Sequence, residues 1–376
     1  MFGNLVIGTG VLLPAGMLAA FIADFGVTPA TAGLLMFVGG LVVGIGAPVL
    51  AGLTTTLDRR LLLTLSLVIY AVGHIGATLT TNFNVVIALR ALTVIGAAIF
   101  TPQAAATIGL LAPAEKRGGA IAFIFIGWSL AAVIGIPLGS VLGDLVGWRP
   151  TFLMMAALSL FGALMVWLVL PAALFVQRID LRAWVRVLTD VRLLIVLFVT
   201  MFAMAGQFTL FTYISPTLTL AYGASTNQVA LIFLMQGLMG VIGNTVASRT
   251  AGRISVDIAV GIALVITGTG LALIGLGWGG YVAFLIGAGL WGLGGFAANS
   301  LQQSRLVTLA PALASATIAL NTSFVYLGQS LGSASGGALI SNGPVAAMAG
   351  AAAGLVFVGL ALSLLASALR RRVALR

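Results

Sequence analysis

Charged side chains are scarce in this sequence. They make up 6% of its 376 residues, whereas soluble domains carry about 25%. A soluble fold of this length needs a polar surface, and so few charges cannot cover one. The hydrophobic fraction of 61% and the mean hydropathy of +1.22 therefore indicate that lipid surrounds most of the exterior.

Cysteine is absent, which excludes disulfides, thiolate metal sites and cysteine catalysis. The sequence also shows no P-loop, no cluster of metal ligands and no nucleophile–base constellation, so neither an enzyme nor an ATP-driven pump is expected. One pattern, GAGLWG at 287–292, fits the dinucleotide-binding spacing. It lies within an apolar run instead of a βαβ unit and is interpreted as helix packing. No cofactor and no metal are expected.

Twelve apolar runs dominate the chain, each long enough for the ~20 residues of a membrane-spanning helix. They lie at 3–23, 31–54, 61–80, 84–110, 119–142, 150–170, 193–215, 226–248, 256–276, 281–305, 313–339 and 345–369. No basic segment precedes the first run, so we expect a spanning helix there and not a cleaved signal peptide. The pattern predicts an all-α membrane protein of twelve transmembrane helices.

The net charge of +10 could suggest nucleic-acid binding, but the basic residues form no face or stripe. Fifteen of the seventeen fall on one side of the predicted membrane: Arg59, Arg60, Lys116, Arg117, Arg178, Arg182, Arg186, Arg192, Arg249, Arg253, Arg305, Arg370, Arg371, Arg372 and Arg376. Arg149 falls on the other side, and Arg90 within the fourth span. The positive-inside rule predicts that the arginine-rich side is cytoplasmic, with both termini there.

The longest break between runs predicts a division into a six-helix bundle at 1–170, a cytoplasmic linker at 171–192 and a second six-helix bundle at 193–376. In the linker, Arg178, Arg182 and Arg186 recur every four residues. This spacing is typical of an amphipathic helix on an anionic leaflet. A solvated basic linker explains it equally well.

Small residues recur at equivalent places in the two halves. The fifth span carries Gly135, Gly139 and Gly143, and the eleventh carries Gly328, Gly332 and Gly336. Glycines at this spacing let helix backbones approach closely. Their recurrence favours two structural repeats.

The stretch at 127–152, GWSLAAVIGIPLGSVLGDLVGWRPTF, resembles the fifth-helix antiporter motif of the major facilitator superfamily, in its drug/proton and arabinose-type sugar-efflux branch. The matching positions are Gly135, Pro137, Gly139, Trp148, Arg149 and Phe152. Further similar stretches are FTYISP at 211–216, QQSRLVTLAP at 302–311 and ALNTSFVYLGQSLGSASGG at 319–337.

This resemblance implies two pseudo-symmetric six-helix bundles that rock about a central cavity by alternating access. It also implies export, because this motif is associated with export. We expect Gly135, Pro137, Gly139 and Gly143 to form a close-packed, bendable contact between the two bundles that seals one side of the cavity. Simple helix packing is the alternative for these glycines.

Two departures from the family pattern concern coupling. The loop at 51–60, AGLTTTLDRR, keeps Arg59 and Arg60 but has Thr55 where an aspartate belongs and Asp58 at the later glycine. The charge relay of that loop is therefore in doubt. Gly10 and Val11 occupy the place where related exporters often carry an acid in the first helix.

Proton coupling has few candidate residues, because all seven acidic residues lie near helix ends or in loops. Arg90 matches the family's fourth-helix arginine, which is tied to coupling or substrate contact. It could instead snorkel outward or pair with Asp24 at the end of the first span. His74 titrates near neutral pH and could carry protons, although a neutral packing role suits a helix that faces away from the cavity in this fold.

The resemblance places the cavity among the first, fourth, seventh and tenth spans. Candidate substrate contacts are the amides Gln207, Gln236, Asn299, Asn321 and Gln329 and the aromatic residues Phe208, Phe211, Tyr213 and Phe324. Amides with aromatics and few charges favour a neutral or weakly charged, partly apolar substrate. Each amide could instead form an interhelical hydrogen bond.

The sequence therefore predicts a secondary transporter of the bacterial cytoplasmic membrane that works as a monomer and exports drugs, sugars or related metabolites by proton antiport. The alternative is an uptake permease or uncoupled facilitator of the same fold. A membrane-embedded enzyme or scaffold would call for a polar catalytic cluster within the spans, and the sequence shows none. The expected partners are a small-molecule substrate, protons and the bilayer, and no nucleic acid.

Overall fold

A computed structural model describes residues 1–54, 56–113, 116–175, 181–250, 253–277, 280–342 and 345–374. Of the residues named above, Thr55, Arg178 and Arg376 lie outside these ranges, and so do two of the seven acidic residues, Glu115 and Asp180. Contacts between Cα atoms divide the chain into two compact units, Met1–Ile179 and Asp180–Arg376.

The first unit is helical throughout its described part. Its elements are α1 (Phe2–Gly16), α2 (Leu18–Phe25), α3 (Pro29–Leu53), α4 (Arg59–Thr78), α5 (Phe83–Leu111), α6 (Arg117–Leu130), a π-helical turn (Ala131–Gly135), α7 (Ile136–Leu145) and α8 (Trp148–Val169). Helix α4 packs against α5 and α8, α3 packs against α5, and α1 packs against α6, the π-helical turn and α7.

The second unit repeats this order after a short additional helix. Its elements are α9 (Leu181–Thr189), α10 (Val191–Phe211), α11 (Ile214–Tyr222), α12 (Thr226–Thr250), α13 (Val256–Leu276), α14 (Gly280–Leu309), a 3₁₀ turn (Pro311–Leu313), α15 (Ala314–Asn342) and α16 (Val345–Ala374). Here α10 packs against α15 and α16, and α14 against α12 and α13.

Among the described residues, ten helices are long and apolar enough to cross a membrane, and the bent pair α1–α2 makes an eleventh. Helix α15 corresponds to the remaining predicted span. It has 29 residues but is more polar, because it carries Asn321, Gln329 and several serines. The prediction of an all-α membrane protein with twelve spans in two six-helix bundles is confirmed.

Three predicted spans are interrupted instead of continuous. The first bends by 58° between α1 and α2, the fifth contains the π-helical turn, and the seventh breaks between α10 and α11. Each interruption lies within a few residues of a proline: Pro14, Pro137 or Pro216. Proline has no N–H, so the carbonyl four residues earlier loses its helical donor.

Candidate transport site

Arg90 lies in the middle of α5 with only 3% of its surface exposed. Its guanidinium donates to two carbonyl oxygens of α1, from Nη1 to Gly10 at 2.9 Å and from Nη2 to Val11 at 2.6 Å. A longer contact runs from Nε to the carbonyl of Leu35 in α3 at 3.4 Å. The buried charge therefore binds backbone oxygens of the two helices that pack beside it.

The acceptor at Gly10 has a specific cause. Pro14 lies four residues later inside α1 and lacks the N–H that would bond the carbonyl of Gly10. A buried carbonyl without a donor is costly where no water is available. Arg90 therefore supplies the donor that Pro14 cannot.

A second side chain supports the same bend. Ser140 of α7 donates from Oγ to the carbonyl of Gly16 at 3.1 Å. In a regular helix that carbonyl would accept from Ala20, but the N–H of Ala20 bonds Met17 at 3.0 Å instead. The bend between α1 and α2 is thus stabilised by donors from two other helices. Sequence reasoning missed Ser140, although it lies one residue after Gly139 of the predicted motif.

The glycines of the antiporter-like motif line the contact with α1. A Cβ at Gly135 would overlap Thr9, and one at Gly139 would overlap Leu13. At Gly143 it would lie 2.7 Å from Cε of Met17. The four-residue spacing on both helices brings the backbones together within the first unit, whereas the motif was expected to form a contact between the two bundles. Pro137 lies in the first turn of α7, two residues after the π-helical turn.

His74 packs against Tyr70 of the same helix. Tyr70 of α4 donates from its hydroxyl to the carbonyl of Ile7 in α1 at 3.1 Å. Its ring centroid lies 4.6 Å from that of His74, whose Nδ1 bonds the carbonyl of Tyr70 at 2.8 Å. Among the described residues, Nε2 of His74 is buried without a hydrogen-bond partner.

Asp24 lies apart from this group, at the end of α2. Its Oδ2 accepts from Nη1 of Arg149 at 2.7 Å and from the indole N–H of Trp148 at 3.1 Å. Arg149 also stacks over the Trp148 ring at 4.5 Å. Arg149, and not Arg90, is therefore the cation that pairs with Asp24.

The three charged residues of the loop motif contact the segment at Leu174 and the helices α5 and α8. These residues are Asp58, Arg59 and Arg60. Oδ1 of Asp58 accepts from the N–H of Leu174 at 3.0 Å, and the N–H of Arg59 donates to the Leu174 carbonyl at 2.9 Å. Nη1 of Arg59, which is 1% exposed, donates to Oε1 of Gln103 in α5 at 2.7 Å. Arg60 stacks over the indole in the last turn of α8 at 4.1 Å. A neutral amide thus receives the buried arginine of this loop.

In the second unit, Gln207 joins α10 to α14. Its Oε1 accepts from the indole N–H of Trp291 at 3.0 Å, while its Nε2 donates to the carbonyl of Ala203 at 3.1 Å. The ring of Phe211 lies edge-on to that of Trp291, with 6.1 Å between the ring centroids. The centroid of the Phe208 ring lies 5.0 Å from that of Phe211. Two of the predicted contacts, Gln207 and Phe211, therefore meet the buried indole of Trp291, and Phe208 packs against Phe211.

Asn321 belongs to a second polar group, formed by α10, α14 and α15. Thr200 donates to its Oδ1 at 2.7 Å, and Nε2 of Gln302 contacts Oγ1 of Thr200 at 3.3 Å. Within the described part of the chain, four buried amide atoms have no hydrogen-bond partner: Oδ1 of Asn244 in α12, Oδ1 of Asn299, Nδ2 of Asn321 and Nε2 of Gln329. A buried amide atom without a partner in the protein calls for one from bound water or a ligand.

The remaining candidates have packing contacts. The hydroxyl of Tyr213 donates to the carbonyl of Ser333 in α15 at 2.8 Å. Gln236 is buried on α12, and a Cβ at Gly292 of α14 would overlap its backbone. Phe324 lies edge-on to Phe198 at 5.4 Å. None of these three joins either polar group through a contact described here.

The family model for the Major Facilitator Superfamily matches residues 1–333 of this sequence. The chain belongs to the Major Facilitator Superfamily. The resemblance drawn from the motifs is confirmed, and this membrane protein is a transporter and not an enzyme.

Several relatives are similar to this major facilitator chain over most of its length. An uncharacterized transporter of this type from Bacillus subtilis, YbcL, is 25% identical over 362 residues, which are 96% of this chain and 93% of that protein. The Escherichia coli inner membrane transport protein YdhP is 28% identical over 341 residues, 91% of this chain and 87% of that protein. A chloramphenicol resistance protein of Streptomyces lividans is 33% identical over 252 residues, 65% of this chain and 64% of that protein.

Solved structures of other transporters share the fold at low identity. A bacterial homologue of the human lysosomal transporter Spinster superposes with a TM-score of 0.76 at 16% identity and covers 97% of this chain and 95% of that one. The nucleoside transporter NupG superposes with a TM-score of 0.77 at 12% identity, and the match covers 97% of this chain and 98% of that one. At these low identities, the similarity to solved structures shows only that the fold is shared.

Proposed function

We propose that this protein exports small organic molecules across the bacterial inner membrane by alternating access coupled to proton antiport. The observation that carries the proposal is the pair of broken helices at corresponding places of the two halves, α1–α2 and α10–α11. Interrupted helices in corresponding positions of two repeats are typical of the substrate site of secondary transporters.

The moving parts of the transporter are assigned to the two units of the fold. We assign residues 1–170 and 193–376 to the two moving bundles and 171–192 to a cytoplasmic linker, with both termini in the cytoplasm. The arginine-rich side supports this orientation. The major facilitator chain acts as a monomer in this proposal, because the two halves together provide both broken helices.

The direction of transport is assigned from the contact between α1 and the glycine-rich helices α6 and α7. Gly135, Gly139 and Gly143 permit close approach, and Pro137 with the π-helical turn permits bending. Such a contact can open and reseal around the bend in α1. The relative that confers chloramphenicol resistance supports export of drugs.

Coupling is divided among three residues in this proposal. The guanidinium of Arg90 has only N–H donors and no acceptor for a proton, so Arg90 is not assigned as the proton carrier. It would respond to a proton electrostatically while holding the bend in α1. His74, with its unpartnered Nε2, and Asp24, at the end of α2, are the groups that could carry it.

The substrate is assigned from the second unit. Its unsatisfied amide atoms at Asn299, Asn321 and Gln329 offer hydrogen bonds without a net charge. Phe208 and Phe211, which lie in α10 of the same unit, offer aromatic surface. Neutral or weakly charged, partly apolar molecules suit this combination.

The test is transport in inverted membrane vesicles that hold an imposed pH gradient, with a panel of drugs and sugars that begins with chloramphenicol. Export by antiport predicts accumulation that depends on the gradient and stops when the gradient is collapsed. Uptake in right-side-out vesicles alone would contradict the direction.

An uncoupled facilitator is the second candidate. It is favoured by the position of the carboxylates, since within the described ranges every aspartate lies in a loop or near a helix end. Movement of a substrate down its own gradient, unchanged by the pH gradient, would establish this alternative.

A further inference from the structure

A small pocket lies at one end of the second unit, between the starts of α10 and α13 and the final turns of α14 and α16. Its volume is about 230 Å³, and its charged lining consists of Arg192, Asp257, Arg305 and Arg370. Pockets for whole small molecules are larger, about 300–1,000 Å³. The pocket therefore has room for a headgroup and not for an entire transported molecule.

Arg305 cancels the only negative charge of this lining. Its Nε lies 2.7 Å from Oδ1 of Asp257, and its side chain is 1% exposed. The other nitrogens donate to α16, from Nη1 to Oγ of Ser363 at 2.9 Å and from Nη2 to Oγ of Ser367 at 3.1 Å. Its donors are therefore occupied by the protein, and it acts as a fixed part of the pocket wall.

The other two arginines remain accessible. Arg370 contacts Oδ2 of Asp257 through Nη1 at 3.2 Å, yet its side chain is 45% exposed. Arg192 is exposed in the first turn of α10. Three arginines against one aspartate leave a formal charge of +2 on the lining. That excess calls for an anion.

The uncharged part of the wall is apolar and belongs to the interior of the unit. Val196 and Ala366 line the pocket and also lie in a buried cluster that includes Val187 of α9. In α9, Val187 is buried while Arg186 is exposed, as in helices that lie in a membrane interface. The pocket thus combines accessible cations with apolar surface beside α9.

We propose that this pocket binds the phosphate group of an anionic phospholipid from the leaflet on the arginine-rich side. Basic pockets between transmembrane helices on the cytoplasmic side suit anionic headgroups. The planar guanidinium matches two phosphate oxygens at once. The apolar wall accommodates the glycerol and the start of an acyl chain, which a free phosphate would leave exposed to water. The proposal does not depend on the direction of transport.

The experiment measures lipid binding to the full-length protein in a non-ionic detergent by native mass spectrometry. Dioctanoyl phosphatidylglycerol is compared with dioctanoyl phosphatidylcholine, which has the same chains and no net charge, and inorganic phosphate is added as a competitor. The test variant is R192Q/R370Q. The control, R249Q/R253Q, removes two exposed arginines from the same end of the unit, at and after the end of α12 and outside the pocket.

We expect the wild type to prefer phosphatidylglycerol, and R192Q/R370Q to bind it about thirtyfold more weakly, because each arginine contributes roughly fivefold near an anionic surface. The control should change by less than about threefold. As an independent readout, phosphatidylglycerol should raise the Tm of the wild type and the control but not that of the test variant.

Three results would overturn the proposal. Equal binding of the two lipids would remove the need for an anionic headgroup. Equal losses in both double variants would indicate diffuse charge attraction instead of a site. Displacement of the lipid by inorganic phosphate at a similar concentration would mean that the apolar wall contributes nothing.

Discussion

Replacing Arg90 with methionine tests separately whether the buried charge matters for stability and whether it is required for transport. The change removes two short hydrogen bonds, to the carbonyls of Gly10 and Val11. Side-chain hydrogen bonds within membranes contribute about 0.6 kcal/mol on average and up to about 1.7, so the loss is about 1–3 kcal/mol. Methionine also removes the insertion cost of a central arginine, about 2.5–3.5 kcal/mol. These terms nearly cancel.

We therefore expect R90M to change the free energy of unfolding by less than about 2 kcal/mol and to abolish transport. Stability is measured by reversible unfolding in mixed detergent, and transport in inverted vesicles. R90K is the matched control. It keeps the charge but offers a compact ammonium in place of a fork that reaches two carbonyls, so it should retain part of the activity.

The role of Pro14 supplies a stricter test. In P14A the new N–H at position 14 can bond the carbonyl of Gly10, which then needs Arg90 less. The destabilisation caused by losing Arg90 should be smaller by about 1 kcal/mol in the P14A background, within the range of direct couplings. Effects of R90M and P14A that add within about 0.5 kcal/mol would refute the reasoning.

Three further changes have expected outcomes. G139L should stop turnover without preventing insertion, because its side chain would collide with α1; vesicle transport and membrane yield measure the two effects. D257N should lower the free energy of unfolding by about 3–5 kcal/mol, because it leaves the buried Arg305 without its counter-ion. Q207L should cost about 1–3 kcal/mol, because it leaves the indole N–H of Trp291 buried without an acceptor.

Each of these has a control in the chain. G109A, at a position where a Cβ meets only ordinary contact, should leave turnover unchanged. D190N removes the charge but keeps an oxygen at the start of α10 and should cost far less than D257N. Q207E keeps the acceptor for the indole and should be milder than Q207L. Equal effects of test and control would argue against the assigned contacts.

The lengths and ends of the spans could be predicted because they depend on local composition. The predicted run at 226–248 corresponds to α12, Thr226–Thr250, and that at 256–276 to α13, Val256–Leu276. A stretch of apolar side chains enters the bilayer whatever it packs against, so neighbouring residues suffice for the prediction.

Helix breaks could not be predicted in the same way. Pro14 and Pro216 lie beside breaks, but Pro48 and Pro102 lie inside the unbroken helices α3 and α5. Every proline frees a carbonyl, and the chain bends where neighbouring helices supply donors or space for the bent form. At α1 those donors are Arg90 and Ser140, which lie far away in the sequence.

The long-range partners of the polar side chains could not be predicted from the sequence either. Asp24 pairs with Arg149, 125 positions away, and Gln207 with Trp291, 84 positions away. The spacing of Gly10 and Pro14 was a visible signal, since a proline always deprives the carbonyl four residues before it. This signal points to a vacant acceptor at Gly10, although the sequence analysis made no use of it, and no pattern in the sequence identifies the donor.

The composition and order of the residues were enough to predict that lipid surrounds the chain and how often the chain crosses it, because the hydrophobicity of a span depends only on its own short stretch of residues. The family could be recognised because the motifs keep their residues and spacing. Which helix bends, which carbonyl Arg90 reaches and which arginines remain uncancelled beside Asp257 depended on packing. A hydrogen bond or an ion pair forms within about 3 Å, and such distances between residues a hundred positions apart exist only after the helices have assembled.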